Sequence, residues 1–343
     1  KFIMAYTTIK KPSAYFNTKL YTGNGGTQSI TGVGFQPDFN WTKSRTTTQS
    51  HVLTDAVRGV TKTLFTNATQ AEATLSGITA FGTDGYTLGA SDLWSENSAS
   101  FASWNWLANG AGSANTAGSI NSTVSVNTTS GFSIVSYTGT GSLATVGHGL
   151  GVAPAMIIIK NRSTTNGWEV YHQSLGNTKY MQLHTTSAEG TSATRWNNTS
   201  PTSTVFTVNT EGGVNSSGGN LIAYCFNDVQ GFSKMGSYTG NGSTDGTFVY
   251  TGFKPSFILF KKTTGSAGDW QLWDNKRDPI NPVEKAIHPN ANGGASTDQD
   301  IDFLSNGFKI RSFEAHLNGS GVEFIYMAFA EEPLVGDNPA TAR

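Results

Sequence analysis

Short apolar runs punctuate the chain, each bounded by glycine, proline, asparagine or serine. "MIIIK" (156–160) and "FILFKK" (257–262) are rich in β-branched or aromatic residues, and each follows a proline that ends the preceding turn. Runs of that length with those flanks signal buried strands. "FNWTK" (39–43) alternates instead, with Phe39 and Trp41 on one side and Asn40 and Thr42 on the other. "SFASWNW" and "FIYMAF" mix aromatic with small residues. Helix is scarce. The expected helices cover 66–81, where Ala, Gln and Glu gather, and 281–287.

The pattern repeats. "YTGNG" stands at 21–25 and 238–242, with "YTGTG" at 137–141. Each copy is followed in the same order by an apolar strand ("FNWTKSR", "MIIIKNR", "FILFKK"), a shorter block ("HVLTDAVRG", "GWEVYHQSLG", "GDWQLWDNKRD") and a closing aromatic strand. The copies run 21–106, 137–226 and 238–329, roughly 90 residues each. Solenoid repeats are shorter, about 20–45 residues, because one such unit cannot bury a face alone. Units of this size can hold cores of their own. The chain therefore divides into β units at 1–108, 131–228 and 229–331, a flexible Gly/Ser/Asn/Thr linker at 109–130 and a polar tail at 332–343. The expected fold is all-β: three homologous β-sandwich-like, jelly-roll-like units. Their equal lengths raise a pseudo-threefold arrangement in which one chain imitates a trimer, and units strung out linearly would rule it out. The YTGNG phrase reads as a strand-end turn whose glycines take positive φ. A phosphate cradle would need a following Gly-Lys-Ser/Thr and a helix, and neither is present.

Composition narrows the class. Only 13% of residues are charged, against about 25% in ordinary domains, and 40 are glycine. Disorder is excluded by 20 Phe, 8 Trp and 11 Tyr spread through every unit. A net charge of −1 provides no footprint for nucleic acid or anionic membrane. No apolar run is long enough for a membrane-spanning helix. The start, "KFIMAYTTIKKPS", has no apolar core of a signal peptide, and translation is expected to begin at Met4. The single Cys225 excludes an intrachain disulfide and, within "LIAYCF", reads as a buried structural thiol.

"LYTGNGGTQSITGVGFQPDFNWTKSR", "GFSIVSYTGTGSLATVGHGLGVAPAMIIIKNRS" and "SYTGNGSTDGTFVYTGFKPSFILFKK" resemble a family of tailed-phage proteins from marine and other environmental phages. Members of that family repeat SYTGTG and GFxPDFxWxKxR phrases. The resemblance covers 4–343, with Thr42 and Thr54 standing where an apolar and an aromatic residue are usual. It implies a virion or tail-associated structural protein that works beside other virion proteins.

Candidate chemistry is sparse. Asp55, His172 and Asp274 occupy one position in the three units and read as turn caps, since catalysis needs different partners rather than copies of one. Arg58 and Arg277 follow their aspartates by three residues, as local ion pairs would. Lys43, Lys160 and Lys261 close the strand of the first block, with Arg45 and Arg162 two residues on, and read as solvated strand ends; an acidic glycan is the alternative. Asp298, Asp300 and Asp302 alternate in "TDQDID" and can supply oxygens to Ca²⁺, without EF-hand spacing. The histidines show no zinc spacing, no Gly-x-Ser-x-Gly elbow is present, and Glu96, Glu169, Glu211, Glu314 and Glu323 share no motif. Trp94, Trp168, Trp196, Trp270 and Trp273 are the candidate sugar-stacking residues, with core packing as the competing fate of each. The expected function is a non-catalytic tail-fibre or receptor-binding part of a virion that meets host-surface glycan. Capsid decoration and polysaccharide cleavage are the alternatives. Homo-oligomerisation stays open, since no heptads appear.

Overall fold

The computed structural model describes residues 6–297, 300–336 and 339–341. It is all-β, with antiparallel sheets, four one-turn α-helices and one 3-10 turn among the described residues. In each unit the closing strand inserts between the first strand and the apolar strand. In the first unit, Phe16–Thr22 pairs with Ser100–Trp106, which pairs with Phe39–Ser44, followed by Val52–Asp55 and Lys62–Phe65. The second unit repeats this order with Phe132–Thr138, Asn220–Phe226, Met156–Asn161 and Trp168–His172. The third uses Ser233–Thr239, Glu323–Pro333, Phe253–Lys262 and Gln271–Asp274. Register is kept as well: Lys43, Lys160 and Lys261 lie opposite Ala102, Ile222 and Ile325.

A small second sheet faces each large one, built on Gln28–Thr31, Ala144–Gly147 and Phe248–Tyr250. Between the two layers each unit encloses its own core. The units are therefore sandwich-like. The other faces of the three large sheets meet in a fourth core shared by the whole chain. There the last aromatics of the closing strands, Trp106, Phe226 and Phe329, touch one another with ring centroids 6.2, 5.6 and 6.1 Å apart.

The junctions between units are copies of one another. Glu72 N–H donates to Arg162 O (2.9 Å), Glu189 N–H to Thr263 O (2.9 Å) and Ala295 N–H to Arg45 O (3.0 Å). These bonds join the first unit to the second, the second to the third and the third to the first. Each acceptor lies two residues beyond the strand-end lysine. A linear string of units cannot make the third bond, so the contacts close in a ring.

The repeated pentapeptide has a common geometry. The hydroxyls of Tyr21, Tyr137 and Tyr238 donate to the carbonyls of Trp94, Val214 and Leu317, in a one-turn helix of the same unit, at 2.6–2.9 Å. The first glycine of each phrase runs so close to the end of that helix that an added Cβ at Gly23, Gly139 or Gly240 would lie 2.2–2.4 Å from a carbonyl oxygen. The second glycine, Gly25, Gly141 or Gly242, takes φ near +70° and donates to the helix's last turn at 2.6–2.8 Å. Gly240→Ala must therefore push the helix away, at a cost of about 1–3 kcal/mol. Urea denaturation should show it, and an unchanged midpoint would contradict the close approach.

Three expectations are corrected. Residues 109–130 are not a free connector: Ser113–Asn115 and Ser122–Asn127 extend the second unit's large sheet, and Ile120 bridges to Val146. Alternation of Val124 and Val126 with polar residues was enough to earn pairing once an open sheet edge lay beside them. The expected helix at 66–81 is replaced by the strands Ala73–Thr74 and Ile78–Gly82. The one at 281–287 is replaced by bridges from Val283, Ala286 and Ile287 to neighbouring chain. In both, pairing with existing strands overrides local helix preference.

Candidate functional site

The equivalent positions Asp55, His172 and Asp274 lie buried where units meet. Asp55 accepts from Arg58 Nε (2.5 Å) and from the hydroxyl of Tyr224 in the second unit (2.8 Å). Asp274 accepts from Arg277 Nε (2.5 Å) and from the indole of Trp104 in the first unit (3.0 Å). His172 reaches the third unit, with Nε2 3.2 Å from Tyr326 O, while its Nδ1 accepts from Ser174 N–H at 3.2 Å. This fixes the Nε2–H tautomer. The Asp–Arg pairing expected three residues apart is present in both units. Each arginine also donates to main-chain carbonyls, Lys62 and Leu53 for Arg58, and Lys285 and Leu272 for Arg277. Burial opposes the charge on Arg58, but Asp55, Tyr224 and Glu72 more than offset it and raise its pKa. In each pair all three guanidinium nitrogens donate, so the carboxylate and the arginine are committed to one another and to the turn.

The strand-end lysines are a correction: Lys43, Lys160 and Lys261 are fully buried rather than solvated. Burial lowers each ammonium pKa to about 8. Carbonyl oxygens surround them in place of counter-ions. Lys160 donates to Asn161 O, Asn166 O and, in the first unit, Thr69 O at 2.7–3.0 Å. Lys261 reaches Gly268 O and, in the second unit, Thr186 O. Lys160 and Lys261 thereby clasp a loop of the neighbouring unit, which no single unit's sequence reveals, whereas Lys43 donates to Ser44 O and Thr47 O of its own unit. Arg162 joins the same junction through a two-pronged pair with Glu72.

The five tryptophans proposed for sugar stacking are corrected in the same way, since none is more than 2% exposed. Trp94 fills the first unit's core, with its six-membered ring against Gly77. Trp196 packs edge-on to Tyr171, and Trp273 stacks on Phe260 at 4.6 Å. Trp168 and Trp270 lie at junctions and donate to Phe65 O (2.7 Å) and Gln182 O (2.9 Å) of the preceding unit. Trp168 and Trp273 lie in strands, Trp94 and Trp196 in one-turn helices, and Trp270 just ahead of a strand. Cys225 is buried as expected, and burial raises its thiol to about 12.

The calcium trio does not assemble. Asp298 lies outside the described residues, Asp302 is paired with Arg311 Nε at 2.5 Å, and Asp300 presents its main-chain carbonyl to Arg311 N–H. Among the described residues no group of three or more His, Cys, Asp or Glu could hold a metal ion. Nor is any described helix long and apolar enough to cross a membrane.

What remains accessible is concentrated on the third unit. Its outer strand carries Phe248 (44% exposed) and Tyr250 (52%), and Phe313 (61%) completes the set of markedly exposed aromatic side chains among the described residues. Beside Tyr250 lies a depression of about 430 Å³, walled by Tyr6, Asp228, Gln230, Lys234 and the Thr251–Gly252 backbone. The Tyr6 hydroxyl donates to Gly252 O at 2.6 Å. Asp228 is held by Met235 N–H (2.6 Å) and the Gln173 amide (3.2 Å). Sequence reasoning missed this patch because it searched for tryptophan, whereas the exposed rings are a phenylalanine and a tyrosine on a strand of three residues.

Among curated proteins, none matches the chain. A family model does match, over residues 11–333, which is nearly the whole three-unit body. The chain belongs to the family described as a domain of unknown function, DUF7483.

Proposed function

We propose that the chain is a non-catalytic structural component of a tailed-phage virion, tail-associated, that takes part in attachment to host-surface glycan. In this proposal its three interlocked units act as a rigid, approximately threefold body, the single-chain counterpart of a trimer. The observation that carries the proposal is the ring of matched junctions around one core, which suits a load-bearing part of a particle. The disposition of acidic groups favours binding over cleavage. Asp55, Asp274, Glu72, Glu169 and Asp302 are all engaged by arginines, whereas glycoside hydrolysis needs two carboxyl groups facing a shared cleft. Among the described residues the markedly exposed aromatics lie on one unit, which favours attachment over decoration because it gives the body one contact side.

Immunogold electron microscopy of intact particles, with antibody to this chain, tests the proposal. Label at tail or fibre ends is the expected result. Label spread over the head would replace attachment by decoration.

A further inference from the structure

The three units are three trials of one design, so a feature present in one and absent from the others is not required by the fold. The outer strand of the small sheet provides such a case. Its buried middle residue is Ile30, Val146 or Val249, paired with Tyr86, Phe206 or Phe308. The two residues flanking it are Ser29 and Thr31, both exposed, in the first unit; in the second they are Thr145 and the buried Gly147, covered by the chain at 115–122. In the third unit they are Phe248 and Tyr250. Where the first unit has two small polar side chains, the third has two large rings, both on the solvent side of an edge strand. About half of each ring stays exposed, at 44% and 52%, an apolar surface that the first unit's small side chains do not present.

Their surroundings define what they can bind. Residues two apart on a strand share a face, with the rings side by side. Tyr250 leads into the depression beside Tyr6, whose rim offers an acid (Asp228), a base (Lys234) and an amide (Gln230). Its volume falls within the range of small-ligand sites, about 300–1,000 Å³. Flat apolar faces followed by mixed donors and acceptors of balanced charge match a sugar chain, which has apolar ring faces and hydroxyl edges. An extended peptide would need mainly the open strand edge and would make no use of the polar depression.

We propose that this patch is a saccharide site: a neutral oligosaccharide lies across Phe248 and Tyr250 and places one ring in the depression, with its hydroxyls bonded to Asp228, Gln230 and Lys234. The proposal rests on the attachment reading and supplies its binding surface.

The test uses the full chain on an array of neutral bacterial-surface oligosaccharides built from hexoses and N-acetylhexosamines. A variant carries Phe248→Ser and Tyr250→Thr, the residues the first unit already tolerates. An unchanged thermal melt shows that the variant is folded. We expect the wild type to retain neutral oligosaccharides and the variant to bind at least about 10-fold more weakly, the scale of two lost ring contacts. Tyr250→Phe, which keeps the ring, should retain most of the binding. Equal binding by wild type and double variant would overturn this site and leave attachment standing. No sugar retention, or loss in the variant of binding to a purified tail protein instead, would overturn the saccharide assignment, while particle labelling would still decide attachment on its own.

Discussion

Replacing Asp274 with alanine will lower the unfolding free energy by about 3–5 kcal/mol, the cost of breaking a buried ion pair from one side. The carboxylate is 1% exposed and Arg277 is 3% exposed, so the stranded guanidinium has no water to turn to. The same carboxylate accepts the Trp104 indole of the first unit and the N–H groups of Lys276 and Arg277, so a turn and a junction fail together. Urea denaturation of purified protein measures the loss. Because the three units share a core, the variant should still unfold in one transition, at lower urea. Asp274→Leu combined with Arg277→Met removes both charges and should recover part of the deficit. A single-variant loss below about 1 kcal/mol, the scale of a surface pair, would mean that the junction does not depend on this group.

Acid will weaken the junction between the second and third units. Burial pushes the His172 imidazole down to about 4, opposed only in part by its bond to Tyr326 O. In the unfolded chain a histidine titrates near 6.5. Between those values the unfolded chain binds a proton that the folded chain refuses, so stability is complete above about pH 6.5 and is lost as pH falls toward 4. At about 1.4 kcal/mol per pH unit the full loss from this residue approaches ~3 kcal/mol. His51, driven down by burial and then by Lys43 and other neighbouring cations, adds to it in the same direction. His172→Gln keeps a donor near Tyr326 O without the titration. Stability measured from pH 7 to 4 should fall less steeply in this variant, by close to one proton at its steepest. Identical slopes in wild type and variant would exclude His172 as a source of acid sensitivity.

Local features survived the passage from sequence to structure, and features decided at a distance did not. The strands at 39–43, 156–160 and 257–262 were legible because length, flanking proline and residue type all agreed. So were the Asp–Arg pairs, which close within one turn, and the pentapeptide turn, although its partner helix was not foreseen. Several of the misread residues belong to junctions, while Trp94, Trp196 and Trp273 belong to the units' own cores. Lys160 looks like a solvated strand end until Thr69 of another unit arrives to cover it, and Trp168 looks available until Phe65 does. The candidate site was least legible. Phe248 and Tyr250 gain meaning only when aligned in space with Ser29 and Thr31, an alignment that a strand of three residues does not announce.

The ring in one chain has a genetic consequence. Three separate copies of a gene product must change every junction and every outer strand at once, because a single codon specifies all of them. Here each position has three independent codons. One junction carries an imidazole where the other two carry a carboxylate, and one outer strand carries aromatic rings where its counterparts carry small residues. A single chain is free of the symmetry that identical copies impose, so surface chemistry can differ on one lobe while the other two preserve the body.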